Sequence, residues 1–145
     1  MNQITFFFVI AINLVFLSCN GQTQNNKASA NSTVSKIEVI DFHSTHRCMS
    51  CNAIEANTKY TLETYFASEL KNKTITFLVI NIDEKKNEKM AEKFEVSSTA
   101  LFLNVIINGK ETQINLTDFA FMNGNNKDTF SKQLKSKIEK QLKLL

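Results

Sequence analysis

The chain has no proline and no tryptophan, and its three glycines stand singly among 145 residues. Isolated glycines cannot form the glycine-rich loop that cradles phosphates, so no organic cofactor is implied. With no Trp, the 12 phenylalanines must supply most of the aromatic core. With no Pro, a cis peptide would have to form at another residue type, at a cost of ~3 kcal/mol. Neither sign of charge dominates: 17 Lys and Arg face 14 Asp and Glu, for a mild net +3. No basic stripe interleaves with aromatics. The lysines crowd only toward the C-terminus, where they read as the wet face of one helix, and this argues against nucleic-acid binding.

What is present suits one packed domain with additions, since hydrophobic residues make up 43% and charged residues 21%. Residues 4–18, ITFFFVIAINLVFLS, form an apolar run. It is shorter than the ~20 residues of a membrane-spanning helix and reads as the core of an export signal over residues 1–18. It ends in FLSC, so Cys19 stands where a bacterial lipobox places its lipidated cysteine, although Phe16 replaces the more usual Leu. A plain signal peptide and an uncleaved anchor are the other readings. Residues 20–35, NGQTQNNKASANSTVS, have little to bury and read as a flexible polar tether. The expectation is an exported chain, anchored by lipid at Cys19 to a bacterial membrane and facing the periplasm or cell exterior.

The globular part is expected over residues 36–145. KIEVIDFH, residues 36–43, is apolar on both faces, as in a central strand. From Ser50 to Leu70, Ile54, Thr58, Leu62, Phe66 and Leu70 recur at helical spacing, with Tyr65 beside them. TITFLVINID, residues 74–83, reads as a second buried strand. A short charged helix follows at 87–95, with Met90, Ala91 and Phe94 on its apolar side. Asn108-Gly109 between two alternating runs predicts a type I′ hairpin over residues 100–116. Phe119, Phe121 and Met122 read as packing at a strand edge or turn beneath the last helix. That helix carries Phe130, Leu134, Ile138 and Leu142 at i+4. The order β-α-β-α-β-β-α predicts an α/β fold with a mixed sheet of about four strands and helices on both faces. A monomer is expected.

The chemistry concentrates in HSTHRCMSC, residues 43–51. With Cys19 assigned to lipid, Cys48 and Cys51 remain as a pair, and export permits a disulfide between them. Three readings stay open on these residues. A redox dithiol would use a thiolate at a helix start, where unpaired N–H groups and the helix dipole favour negative charge, with His46 and Arg47 adding to it. A metal site would combine His43, His46, Cys48 and Cys51, the ligand types of zinc or copper(I). A structural disulfide would close a very short loop and contribute little chain entropy. His43 equally fits an imidazole satisfied by backbone at a strand end.

A CxxC where the first strand hands over to a long helix resembles the thioredoxin-like superfamily. The likeness is carried by VIDFHSTHRCMSC, FLVINIDE, AEKFEVSSTALFL and the NGKE hairpin, and it covers residues 36–145. The resemblance implies that Cys48 attacks a protein disulfide, that Cys51 resolves the mixed disulfide, and that Asp41 accepts a proton from the resolving cysteine. It further implies a protein disulfide or dithiol substrate and a membrane electron donor or acceptor. Two departures stand out. Arg47 occupies the place of the usual Trp, and Ala100 occupies that of the cis-proline before the third strand, so a trans Thr99–Ala100 bond is expected. A narrower likeness runs through His43, Thr45, Arg47, Cys48, Cys51, Ala53, Ile54 and Glu55 and through DFAFMN, residues 118–123. It is to the bacterial thioredoxin-like proteins termed the nitrophenyl compound nitroreductase subunit ArsF family, which implies a redox-partner role.

Overall fold

The structure, a computed structural model, describes residues 35–145. The expected signal, Cys19 and all of the tether but Ser35 lie outside the described residues. Among those described, no helix is long and apolar enough to cross a membrane.

Strand β1, Lys36–His43, runs into helix α1, Met49–Tyr65, and a short α2, Ala67–Lys71. Strand β2, Ile75–Asn81, follows, then a 3-10 turn at Lys85–Asn87 and α3, Glu88–Lys93. The hairpin β3, Ala100–Ile107, and β4, Lys110–Asn115, precedes α4, Thr117–Asn123, and α5, Lys127–Leu142. One sheet of four strands has the order β2-β1-β3-β4. β1 and β2 are parallel, with Asp41 level with Val79, whereas β3 is antiparallel to both β1 and β4. This is the α/β mixed-sheet architecture expected of a thioredoxin-like fold.

Strand alternation divides the core into two layers. Ile37, Val39, Leu101, Leu103 and Val105 face α1 and α5, where Ile54, Leu62, Phe130, Leu134 and Ile138 complete one cluster. Ile40, Phe42, Ala100 and Phe102 face the other way and pack with Phe94. On that side Phe42, Phe94 and Phe102 form a triangle with ring centroids 5.2–5.9 Å apart. Edge-on and tilted rings at such distances stabilise beyond their buried area. The phenylalanines thus serve the role left open by the missing Trp.

Three sequence expectations are refined and one holds. The first long helix breaks at Phe66, whose backbone leaves helical geometry (φ −133°, ψ 28°). The swing carries the Phe66 ring into the core and leaves Tyr65 exposed. β2 is an edge strand and only Ile75 is fully buried along it. TDFAFMN is a helix, with Ala120 buried and Phe119 stacked near Phe130 at 5.1 Å. Phe121 and Met122 face outward. The hairpin turn is as read: Asn108 and Gly109 both have positive φ, 51° and 80°.

Candidate active site

β1 ends and α1 begins on either side of the loop 44–48, so the CxxC falls at the helix start. Cys48 is the N-cap residue, in extended conformation, and its Sγ accepts a hydrogen bond from the Cys51 N–H at 3.1 Å. The first turn of α1 holds no acidic residue to oppose the positive end of the helix. Cys48 and Cys51 are joined as a disulfide, with Cα atoms 5.1 Å apart. The pair is asymmetric: Cys48 is exposed, whereas Cys51 is 7% exposed. Met49 between them is open to solvent.

Asp41 lies on the α1 face of β1 and is completely buried. Its place near the strand end does not open it to solvent. Arg47 Nη2 lies 3.3 Å from Asp41 Oδ2, and its Nη1 donates to Glu55 Oε2. Burial pushes the Asp41 carboxyl up to about 7; the Arg47 charge pulls it down, and the Glu55 charge pushes it further up. Asp41 Oδ1 and Arg47 Nε have no hydrogen-bond partner. Arg47, expected to tune the Cys48 thiolate, is therefore engaged by two carboxylates. Glu55 follows Cys51 by one helical turn and so shares its face of α1. The ion pairs consequently lie beside the resolving cysteine.

The loop before Cys48 is held from the other side by the end of β2. Thr45 N–H donates to Asp83 Oδ2 at 2.7 Å, and Asn81 Nδ2 donates to Thr45 Oγ1 at 3.1 Å. Ile82 N–H bonds His43 O at 2.8 Å, and Asn87 Nδ2 bonds Asn81 O at 2.8 Å. The Thr45 hydrogen bond holds the Asp83 carboxyl below its usual range. Sequence reasoning attached no role to Glu55, Asn81 or Asp83. The signals were there: Glu55 at i+4 from Cys51, and a run of Asn and Asp where a strand ends.

His43 Nδ1 donates to the Ser44 carbonyl at 2.9 Å, the backbone-satisfied arrangement, and His46 is exposed. Among the described residues, no three His, Cys, Asp or Glu side chains converge in a group that could hold a metal ion. Ala100 begins β3 level with Phe42 and is nearly buried in the phenylalanine layer. The described residues contain no cis peptide bond, so Thr99–Ala100 is trans.

No family model matches the chain, and no curated protein matches it. Solved structures similar to it include the Fasciola hepatica thioredoxin, 18% identical, covering 70% of this chain and 85% of that one with a TM-score of 0.42. Another is oxidised mitochondrial thioredoxin 3 of Saccharomyces cerevisiae, 20% identical, covering 63% of this chain and 78% of that one, TM-score 0.42. Thioredoxin f2 of Chlamydomonas reinhardtii is 14% identical, covering 66% of this chain and 84% of that one, TM-score 0.41. The chemical reading of the site stands on the topology and geometry of this chain itself.

Proposed function

We propose that the chain is a thiol–disulfide oxidoreductase, or the redox subunit of a larger system, exchanging electrons with a partner protein through Cys48 and Cys51. The observation that carries this is the disulfide at the start of α1 with one sulfur exposed and the other enclosed. Only Cys48 offers a sulfur that an incoming protein thiolate can reach. Attack on Cys48 Sγ forms a mixed disulfide and breaks the Cys48–Cys51 bond. Cys51 leaves as a thiolate and takes a proton. The second thiolate of the partner then attacks its own sulfur of the mixed disulfide and releases Cys48 as a thiolate. The partner dithiol is oxidised and this pair is reduced; the reverse sequence oxidises the pair. The Cys51 N–H aimed at Cys48 Sγ and the unopposed helix end favour the Cys48 thiolate in both directions.

Asp41 is the proton-handling group in this reading. It is a buried carboxyl able to carry a proton near neutral pH, held by Arg47 beside the helix face that bears Cys51. The narrower likeness to the nitrophenyl compound nitroreductase subunit ArsF family supports the subunit form of the proposal. Two residues of that likeness, Thr45 and Arg47, are the ones anchoring the loop in front of Cys48. Export and lipid attachment at Cys19 complete the proposal, which places exchange at a bacterial membrane facing the periplasm or cell exterior. Membrane fractionation of Cys19→Ser checks this: release to the soluble fraction is expected, and retention points to an uncleaved anchor.

The decisive test is alkylation of the reduced protein as a function of pH, resolved by cysteine. Cys48 is expected to react at pH values below the ~8.5 of a free thiol, while Cys51 stays protected. Cys51→Ser is expected to accumulate a mixed disulfide through Cys48. Protection of both thiols until a chelator is added would replace this reading with a zinc or copper site.

A further inference from the structure

The two edges of the sheet are built differently. β4 reads KETQIN, carries Lys110 and Glu111, and is exposed along nearly its whole length. β2 reads ITFLVIN and has no charge, no proline and no glycine. Edge strands of soluble proteins are ordinarily guarded by charge, proline, a bulge or a covering element, because their free N–H and C=O groups template further pairing. Among the described residues no strand pairs with the outer side of β2. Its side chains are incompletely covered on both sheet faces: Phe77, Leu78 and Ile80 are half-buried, and Val79 is 42% exposed.

We propose that β2 pairs antiparallel with β2 of a second copy of this chain, about a two-fold axis near Leu78, joining two four-stranded sheets into one. The charges nearest the strand favour this partner and this direction. Lys73 precedes the strand and Asp83 follows it, each five residues from Leu78; farther out, Lys71 and Lys85 are likewise equidistant and carry like charge. In the antiparallel arrangement each Lys73 meets the Asp83 end of the other copy. A parallel arrangement would set Lys73 against Lys73 and Asp83 against Asp83. The strand itself brings no charge to the contact, and its β-branched and aromatic residues are those that pair well across strands. Residues 20–34 of the same chain are mostly Asn, Gln, Ser and Thr and have few apolar side chains with which to cover Phe77, Leu78 and Val79.

The geometry leaves both sites accessible. Asn81, at the end of β2, holds Thr45 in the loop before Cys48, so antiparallel pairing sends the two CxxC motifs to opposite ends of the joined sheet. One strand edge makes an interface below the ~1,200 Å² of standard complexes, so a dissociation constant on the order of micromolar is expected. This departs from the monomer expected on sequence.

Sedimentation equilibrium of the full chain in detergent, across nanomolar to high micromolar protein, tests the proposal. A concentration-dependent dimer is expected. Val79→Lys should weaken it about tenfold or more by placing like charges beside the axis, and Thr76→Lys, on the opposite sheet face, should weaken it by setting a charge against Ile80 of the other copy. Hydrogen exchange on the unaltered protein gives an independent reading, with protection of the β2 amides rising with concentration. A monomer throughout overturns the proposal. So does a dimer that neither substitution weakens, because the contact then lies elsewhere, and so does β2 protection independent of concentration, because the chain then covers its own edge.

Discussion

Arg47 sits directly before Cys48, and its guanidinium pairs with Asp41 and Glu55. The three groups form a short ionic chain from a fully buried carboxylate to a half-buried one. The strand neighbours level with Asp41, Val79 and Leu101, carry no charge, so Arg47 and Glu55 are the charges that act on it. Their effects have opposite sign. Arg47→Gln is expected to raise the Asp41 titration above about 7, and Glu55→Gln to lower it. Carboxyl-carbon NMR of the oxidised protein reads both. Shifts in one common direction would show that the carboxyl responds to general loosening rather than to these two charges. The cysteines were legible in the sequence because CxxC is a local pattern. The Arg47 contacts were not, because a charged side chain chooses its partner across strand, loop and helix, and spacing along the chain records only the helix.

Elements whose signal is local were read correctly. Asn108-Gly109 demanded a hairpin because only such residues tolerate two successive positive φ angles. Gly109→Ala, at φ 80°, should therefore cost about 1–2 kcal/mol, seen as a lower urea midpoint with unchanged slope. A change below a few tenths of a kcal/mol would mean that the turn relaxes freely. The last helix was legible from Phe130, Leu134 and Ile138, and Asn126 caps it by accepting from the Thr129 N–H at 3.0 Å. Thr117–Asn123 was not legible as a helix, because the spacing of Phe119 and Phe121 also suits a strand and the segment is too short to display a period. Its placement comes from packing. Asn57 of α1 donates to the Gly124 carbonyl at 2.8 Å, and a Cβ on Gly124 would lie 2.9 Å from the Ala120 carbonyl and 3.3 Å from Ile54. The Ala120 carbonyl of α4, with the Ile54 side chain of α1 close by, admits only glycine there without a shift.

Across the whole molecule, the buried Asp41 ties global stability to pH. Its carboxyl titrates near 4 in the unfolded chain and near 7 in the folded one, so between these values the folded state holds the extra proton. Stability from this group is complete below pH 4 and is lost as pH rises through 7, a cost of at most about 4 kcal/mol that Arg47 keeps from growing further. Asp41→Asn should flatten this fall and leave the protein more stable than the parent at pH 8, with little difference at pH 4. Urea denaturation at the two pH values checks it, and equal stability at pH 8 would show that the buried charge carries no such cost. The sequence by itself determined the order of the four strands and of the three helices it predicted, the turn chemistry, the CxxC at a helix start and the α/β class, because each depends on neighbours within a few turns. Tertiary structure alone decided that β2 is an edge, that Asp41 is sealed, and that Arg47 pairs with Asp41 and Glu55. Those facts depend on which strands lie side by side and which charges meet in the interior, where exclusion of water determines their protonation.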